Sequence, residues 1–147
     1  MEGIGVRTER IEVDSRGDAD VVDVTDAVAE VVRARGLVEG QALVFVGGST
    51  AALTTVEHEP GLVRDLPVAF ERVAPRGARY HHDDTWHDGN GHSHVRASLV
   101  GPSLAVPVAE RAMLIGTWQQ IVLLDFDNRP RRRRLVVQLL GAFEERD

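Results

Sequence analysis

The sequence predicts an α+β fold: a single compact domain over residues 1–147, with a mixed, mostly antiparallel β-sheet or sandwich and two to three helices. Three observations predict it. Two segments repeat apolar side chains at helical spacing, whereas the other apolar runs are short and strand-like. The strand-like runs outnumber the helices and follow one another after residue 100, as expected of a largely antiparallel sheet. A chain of 147 residues, 43% hydrophobic, has the length of one domain and can bury ~70% of its unfolded surface without a disulfide or metal staple.

Val6–Val13 (VRTERIEV) alternates apolar and polar side chains imperfectly and reads as an edge or half-buried strand. Asp14–Asp20 is a polar turn region. Val24, Ala27, Val28, Val31 and Val32 then recur at helical spacing, with Asp23 or Thr25 to cap the start and Gly36 to close the end in a left-handed conformation. Ala42–Val46 (ALVFV) is a short apolar run, most simply a buried strand. Glu59 and Pro60 open a second helix, which Pro67 restarts or kinks before Pro75, and Leu62, Leu66, Phe70 and Val73 form its buried stripe. His94–Val100 reads as a short helix stopped by Gly101-Pro102. Ser103–Val108, Ala112–Leu114, Gln120–Phe126 and Leu135–Leu140 complete the strands, the last after the turn DNRP.

Composition excludes several classes of function. There is no cysteine, so thiol catalysis, thiolate metal sites and disulfide frameworks are ruled out. All 17 basic side chains are arginine, which removes Schiff-base and lysine general-base chemistry. A net charge of −6 argues against broad nucleic-acid binding, which needs a basic footprint. No apolar run approaches the ~18 residues of a membrane span, and MEGIGVRTER lacks the pattern of a signal peptide. The expectation is a soluble cytoplasmic protein without nucleic-acid or membrane partners.

The chemistry concentrates in one segment. Tyr80–His94 (YHHDDTWHDGNGHSH) holds five of the six histidines, with three aspartates and two glycines. Imidazole can ligate a metal or move a proton near neutral pH. His92 and His94 flank Ser93, and the Gly89-Asn90-Gly91 turn can bring His82 back to them. Three imidazoles with an open fourth position would suit a catalytic zinc. Asp88 and Asp83 can orient a ligating ring or act as general base. His81 and His87 are expected to be solvated, since neighbouring histidines cannot all point inward.

Three further motifs are candidates. Gly47-Gly48-Ser49-Thr50 follows a strand directly; it is either an ordinary turn or, if a helix starts there, a set of free amides for phosphate. It is not a Walker loop, because no Gly-Lys-Ser/Thr occurs. In Gly116-Thr117-Trp118-Gln119 the tryptophan either packs or stacks on a ligand ring, and Gln119 is then a turn or cap residue. Arg131–Arg134 is a solvated strand start or an anion clamp, or pairs with a neighbouring subunit's acids.

Taken together, GGSTAALTTVEHEPGL, YHHDDTWHDGNGHSHVRASLVGPS, GTWQQIVLLDFDNRP and the arginine-rich strand after it resemble the YjbQ-like family, whose members are often labelled secondary thiamine-phosphate synthase. The resemblance spans Val44–Gly141 with gaps. It implies an α+β fold with a mixed sheet, a homotrimer with its site near subunit boundaries, and a slow transferase joining a pyrimidine methyl diphosphate to a thiazole phosphate with release of pyrophosphate. The family's two histidines fall on His82 and His94, its intervening acid on Asp88, and its Gly-Thr-Trp-Gln on Gly116–Gln119. This chain departs at Gly48, where many members carry histidine, and has His92 instead.

The sequence therefore predicts His82, Asp88 and His94 as catalytic and His82, His92 and His94 as ligands of a divalent metal, zinc first. Ser49, Thr50, Arg96, Trp118 and Gln119 are expected to bind a small phosphorylated metabolite. The rival readings are a metal-dependent hydrolase of such a metabolite and a non-enzymatic trimeric metal- or metabolite-binding protein.

Overall fold

A computed structural model describes residues 3–145. Eight strands and four helices follow in the order β1 (Gly5–Ser15), β2 (Asp20–Asp23), α1 (Thr25–Arg35), β3 (Leu37–Val46), β4 (Ala51–Val56), α2 (Pro60–Val73), α3 (His81–Trp86), α4 (Gly91–Val100), β5 (Ser103–Ala109), β6 (Ala112–Met113), β7 (Gln120–Asp125) and β8 (Arg131–Phe143). The strands form two sheets, β1-β8-β3-β5-β6 and β2-β7-β4. Every pairing among the described residues is antiparallel, so the α+β expectation holds, with four helices and no parallel pair.

Side-chain alternation explains the layering. In β7, Ile121 and Leu123 face one core while Val122 and Leu124 face another, which is why this middle strand is buried on both sides. The first core lies between the two sheets and includes Val28, Val31 and Val32 of α1, Val44 and Val46 of β3, and Leu135, Val137 and Leu139 of β8. The second lies between the far face of the small sheet and the helices, where Phe126 meets Phe70 of α2 at 4.7 Å, edge to face. Helix α1 ends on Gly36 at φ 69°, as its glycine predicts.

β1 alternates imperfectly for a physical reason. Its inward positions include Arg7 and Glu9: Arg7 stacks on Phe143 at 4.0 Å and Glu9 pairs with Arg35. Val6 is consequently left on the outer face. Val6, Leu140, Leu43 and Phe45 all stand exposed there, on the side of the large sheet that no helix among the described residues covers.

Several expectations need correction. Helix α2 runs unbroken through Pro67, and its packed side chains are Val63, Leu66 and Phe70, whereas Val73 is exposed. Gly47–Thr50 leads into strand β4, not a helix, so no helix amides are available there for phosphate. The short strand β2, which begins at the last residue of the polar turn region and pairs with β7, was not expected. The histidine segment is itself helical: α3 was not expected, and α4 begins at Gly91 rather than His94.

Candidate active site

The site is built by the turn between α3 and α4. His87 ends α3 in the left-handed region at φ 57°, and Asp83 Oδ1 accepts the Gly91 N–H at 3.0 Å, closing the turn. Gly91 is required there, since a Cβ would lie 2.5 Å from Tyr80 Cβ. The Asn128 side-chain amide donates to the Asp88 carbonyl at 3.0 Å, tying this turn to the β7–β8 connection.

These constraints bring His82 and His94 together, with ring centroids 4.0 Å apart and planes at 36°. His82 Nδ1 lies 3.6 Å from Asp83 Oδ1 and 3.7 Å from Asp88 Oδ1. That nitrogen is buried and has no hydrogen-bond partner, an unmet valence that is costly unless something fills it. One donor atom each from His82, Asp83 and Asp88 fall within 4.8 Å of one another. With its amide nitrogen turned toward Asp88, Asn90 donates to both carboxylate oxygens at 2.9 and 3.2 Å. Burial, and then the neighbouring His82, holds the His94 imidazole below its usual pKa. His94 is therefore neutral near pH 7 and able to accept a proton.

The pair opens on a cleft of about 370 Å³ lined also by Ser49, Thr50, Asp127, Arg131 and Arg133. Thr50 is buried, and its hydroxyl donates to Asp127 Oδ2 at 3.2 Å and accepts from Arg133 Nη2 at 2.8 Å. Ser49 is exposed at the rim. Of the residues expected from sequence, the structure thus gathers His82, Asp88, His94, Ser49 and Thr50.

It does not gather the others. His92 and His94 are two apart on a helix, about 200° around its axis, so the three-imidazole metal set is not formed. His92 is 2% exposed beside Tyr80, with ring centroids 6.4 Å apart, and it is not part of the cleft lining. Arg96, on the same face of α4, is also buried, bonded to the Ala74 carbonyl at 3.0 Å and to Glu71 at 2.7 Å. It anchors α4 to the end of α2. Trp118 is 74% exposed. Gln119 lies in a separate groove, where it donates to Thr55 Oγ1 at 3.0 Å. Sequence reasoning missed Asp125 and Asp127; the signal was present in two aspartates closing an apolar run, Ile121–Asp127.

The interior position of His92 has a pH consequence. Burial, then Arg96 and Arg76, hold its pKa below the ordinary value. On acidification the unfolded chain takes up this proton first, near pH ~6.5, while the folded chain resists it. Stability is then full above that pH and falls as pH drops toward the folded value. Thermal unfolding across this window should show a declining melting temperature, and His92→Leu should flatten part of the slope, the remainder belonging to His94.

The fold and site define a class of small α+β proteins with two antiparallel sheets and a histidine–aspartate cleft beside the small sheet. The chain belongs to the family described as UPF0047 protein YjbQ-like, whose model matches residues 9–142. It is 39% identical over 121 residues to a UPF0047 protein of Archaeoglobus fulgidus, covering 82% of this chain and 91% of that one. A UPF0047 protein of Methanothermobacter thermautotrophicus is 35% identical over 136 residues, covering 92% and 93%. Among solved structures, a YbjQ-like protein of unknown function from Sulfolobus solfataricus P2 superposes with a TM-score of 0.89 at 32% identity, covering 95% of this chain and all of that one. An uncharacterised YjbQ/UPF0047 protein of Clostridium acetobutylicum gives 0.81 at 30% identity, covering 89% and 98%.

Proposed function

We propose that the His82–His94 cleft is the active site of an enzyme acting on a small phosphorylated metabolite, of the thiamine-phosphate synthase type, with a divalent cation held by His82, Asp83 and Asp88. The observation that carries it is the buried, unpartnered Nδ1 of His82 facing two carboxylates. A ring nitrogen so placed fits a cation better than it fits solvent. One imidazole and two carboxylates make a harder donor set than three imidazoles, so magnesium or manganese suits it as well as zinc. Bound there, the cation would neutralise charge building on a departing phosphate.

This chain's own residues supply the rest. In the transfer, the carbon–oxygen bond between the pyrimidine methylene and the diphosphate breaks, and its electron pair leaves with pyrophosphate. The thiazole nitrogen then forms the new carbon–nitrogen bond. Catalysis needs charge stabilisation more than a strong base, which matches a site of acids and arginines in which the neutral imidazole of His94 would contact the departing phosphate. Hydrolysis of a phosphorylated metabolite is the second reading, favoured by the openness of the cleft at the exposed Ser49 and Asp88, where water can serve as acceptor.

The test is rescue of a thiamine-requiring bacterial strain. The wild-type gene is expected to restore growth and His94→Ala to fail, and equal rescue by both removes the cleft from the reaction. Retention of a cation by purified protein with no product from any phosphorylated heterocycle would favour the non-enzymatic binding role instead.

A cytoplasmic homotrimer is part of the proposal. Its support is the uncovered outer sheet face carrying Val6, Leu43, Phe45 and Leu140, together with the exposed Trp118, apolar surface that association would bury. Among the described residues no helix is long and apolar enough to cross a membrane. Light scattering should return three times the 16.1 kDa chain mass, and a monomer mass would refute the trimer.

A further inference from the structure

We infer that the arginine wall of the cleft, Arg131 and Arg133 beneath Gly48, is a phosphoryl-binding subsite, and that a divalent cation bound opposite it strengthens its hold on phosphate. The second half rests on the cation reading above; the first stands on its own geometry.

The pleat of β8 separates its four arginines. Arg132 and Arg134 point outward and pair with Glu12, whereas Arg131 and Arg133 line the cleft. Each inward guanidinium is held along one edge by a buried carboxylate. Arg133 donates through Nε and Nη2 to Asp125 at 2.7 and 2.9 Å, and through Nη2 to Thr50 Oγ1 at 2.8 Å. Arg131 reaches Asp127 Oδ2 through Nε at 2.8 Å and Nη2 at 2.6 Å. Among the described residues neither Nη1 has a hydrogen-bond partner. Two planar forks, each fixed along one edge and free at Nη1, are suited to phosphoryl oxygens.

Gly48 keeps that edge accessible. A Cβ at this position would lie 3.1 Å from Arg133 Nη1, so any side chain there stands over the donor. The backbone at Gly48 has no positive φ, hence the glycine serves space rather than a turn.

Charge couples the subsite to the cation. Asp83, Asp88, Asp125 and Asp127 against two guanidiniums leave this region negative by two when the imidazoles are neutral. A phosphate dianion entering alone meets net repulsion, and a divalent cation at His82, Asp83 and Asp88 cancels it. The preferred ligand is thus a phosphate monoester or diphosphate presented with a divalent cation.

The test is calorimetric titration of inorganic phosphate into the full-length protein, with and without saturating manganese(II). Manganese is expected to tighten phosphate binding by about 5–150-fold. Gly48→Val, which adds bulk over Arg133 Nη1 but touches none of the three cation donors, should weaken phosphate at least about tenfold and leave manganese affinity unchanged. Arg131→Gln is the second variant and should act in the same direction. Unchanged phosphate affinity in both variants, or no phosphate binding under any condition, overturns the subsite. Equal phosphate affinity with and without bound manganese overturns the linkage. Phosphate binding that responds to Gly48→Val in a protein that never takes manganese refutes the cation reading and the linkage while upholding the arginine wall.

Discussion

Alanine at His82 or at Asp88 is expected to lower turnover by about 10²–10⁴-fold while the protein stays folded. Both side chains are partly exposed, 28% for His82 and 48% for Asp88, so neither truncation leaves a sealed cavity, and the cost in stability is small. Their value lies in position, because His82 Nδ1 and the Asp88 carboxylate face each other across 3.7 Å. Asp88→Asn separates charge from shape: the amide keeps the volume, removes the anion and should cut cation affinity together with rate. Asp83 is a poorer probe, since its carboxylate also accepts the Gly91 N–H at 3.0 Å and its loss would loosen the turn itself. The measurement is initial rate on a phosphorylated heterocycle alongside manganese titration and a melting curve. Full activity in Asp88→Ala with unaltered cation affinity would sink the assignment.

What the sequence disclosed and what it withheld divide along physical lines. Helix α1 was readable because its valines repeat at 3.6 spacing and a glycine closes it. Likewise β7 and the apolar half of β8 were readable from continuous apolar runs. Strand β4 was not, since Ala51–Val56 follows a glycine pair that looks equally like a helix entry. Helix α3 was hidden because His81–Trp86 is half-exposed and carries no apolar period; it is bracketed by local bonds that no periodicity encodes, Tyr80 Oη to the Pro75 carbonyl at 2.6 Å and the Gly91 N–H to Asp83 Oδ1 at 3.0 Å. In the site, His82 and His94 stood out by density, and Asp88 was separated from Asp83 only by the family resemblance. His92 misled for the same reason, as counting imidazoles cannot show that positions two apart on a helix face opposite ways. Asp125 and Asp127 went unread because half of their partners are remote, Ser15 for one and Thr50 for the other, while Arg133 and Arg131 reach them only after the chain turns back through DNRP.

Arg133→Met should be the most destabilising of these changes, by about 3–5 kcal/mol. Asp125 is fully buried and collects bonds from Ser15 at the end of β1 (2.6 Å), from Arg133 on β8, and from the Asp127 N–H (3.1 Å). Because Asp125 closes β7 in the small sheet, and Ser15 and Arg133 belong to the large one, this one carboxylate ties the two sheets together directly beneath the cleft. Removing the guanidinium leaves an uncompensated charge in the interior, whereas removing both charges does not. The double variant Arg133→Met/Asp125→Asn is therefore expected to recover most of the loss, a non-additivity that a denaturant titration of the four proteins measures. A single variant within about 1 kcal/mol of wild type would mean that the pair is no more than a surface salt bridge. If the loss is as large as expected, the contacts that aim Arg133 at the cleft are also those that hold the sheets together. Stability and phosphate affinity would then fall together in any variant of this pair, while Gly48→Val would separate them.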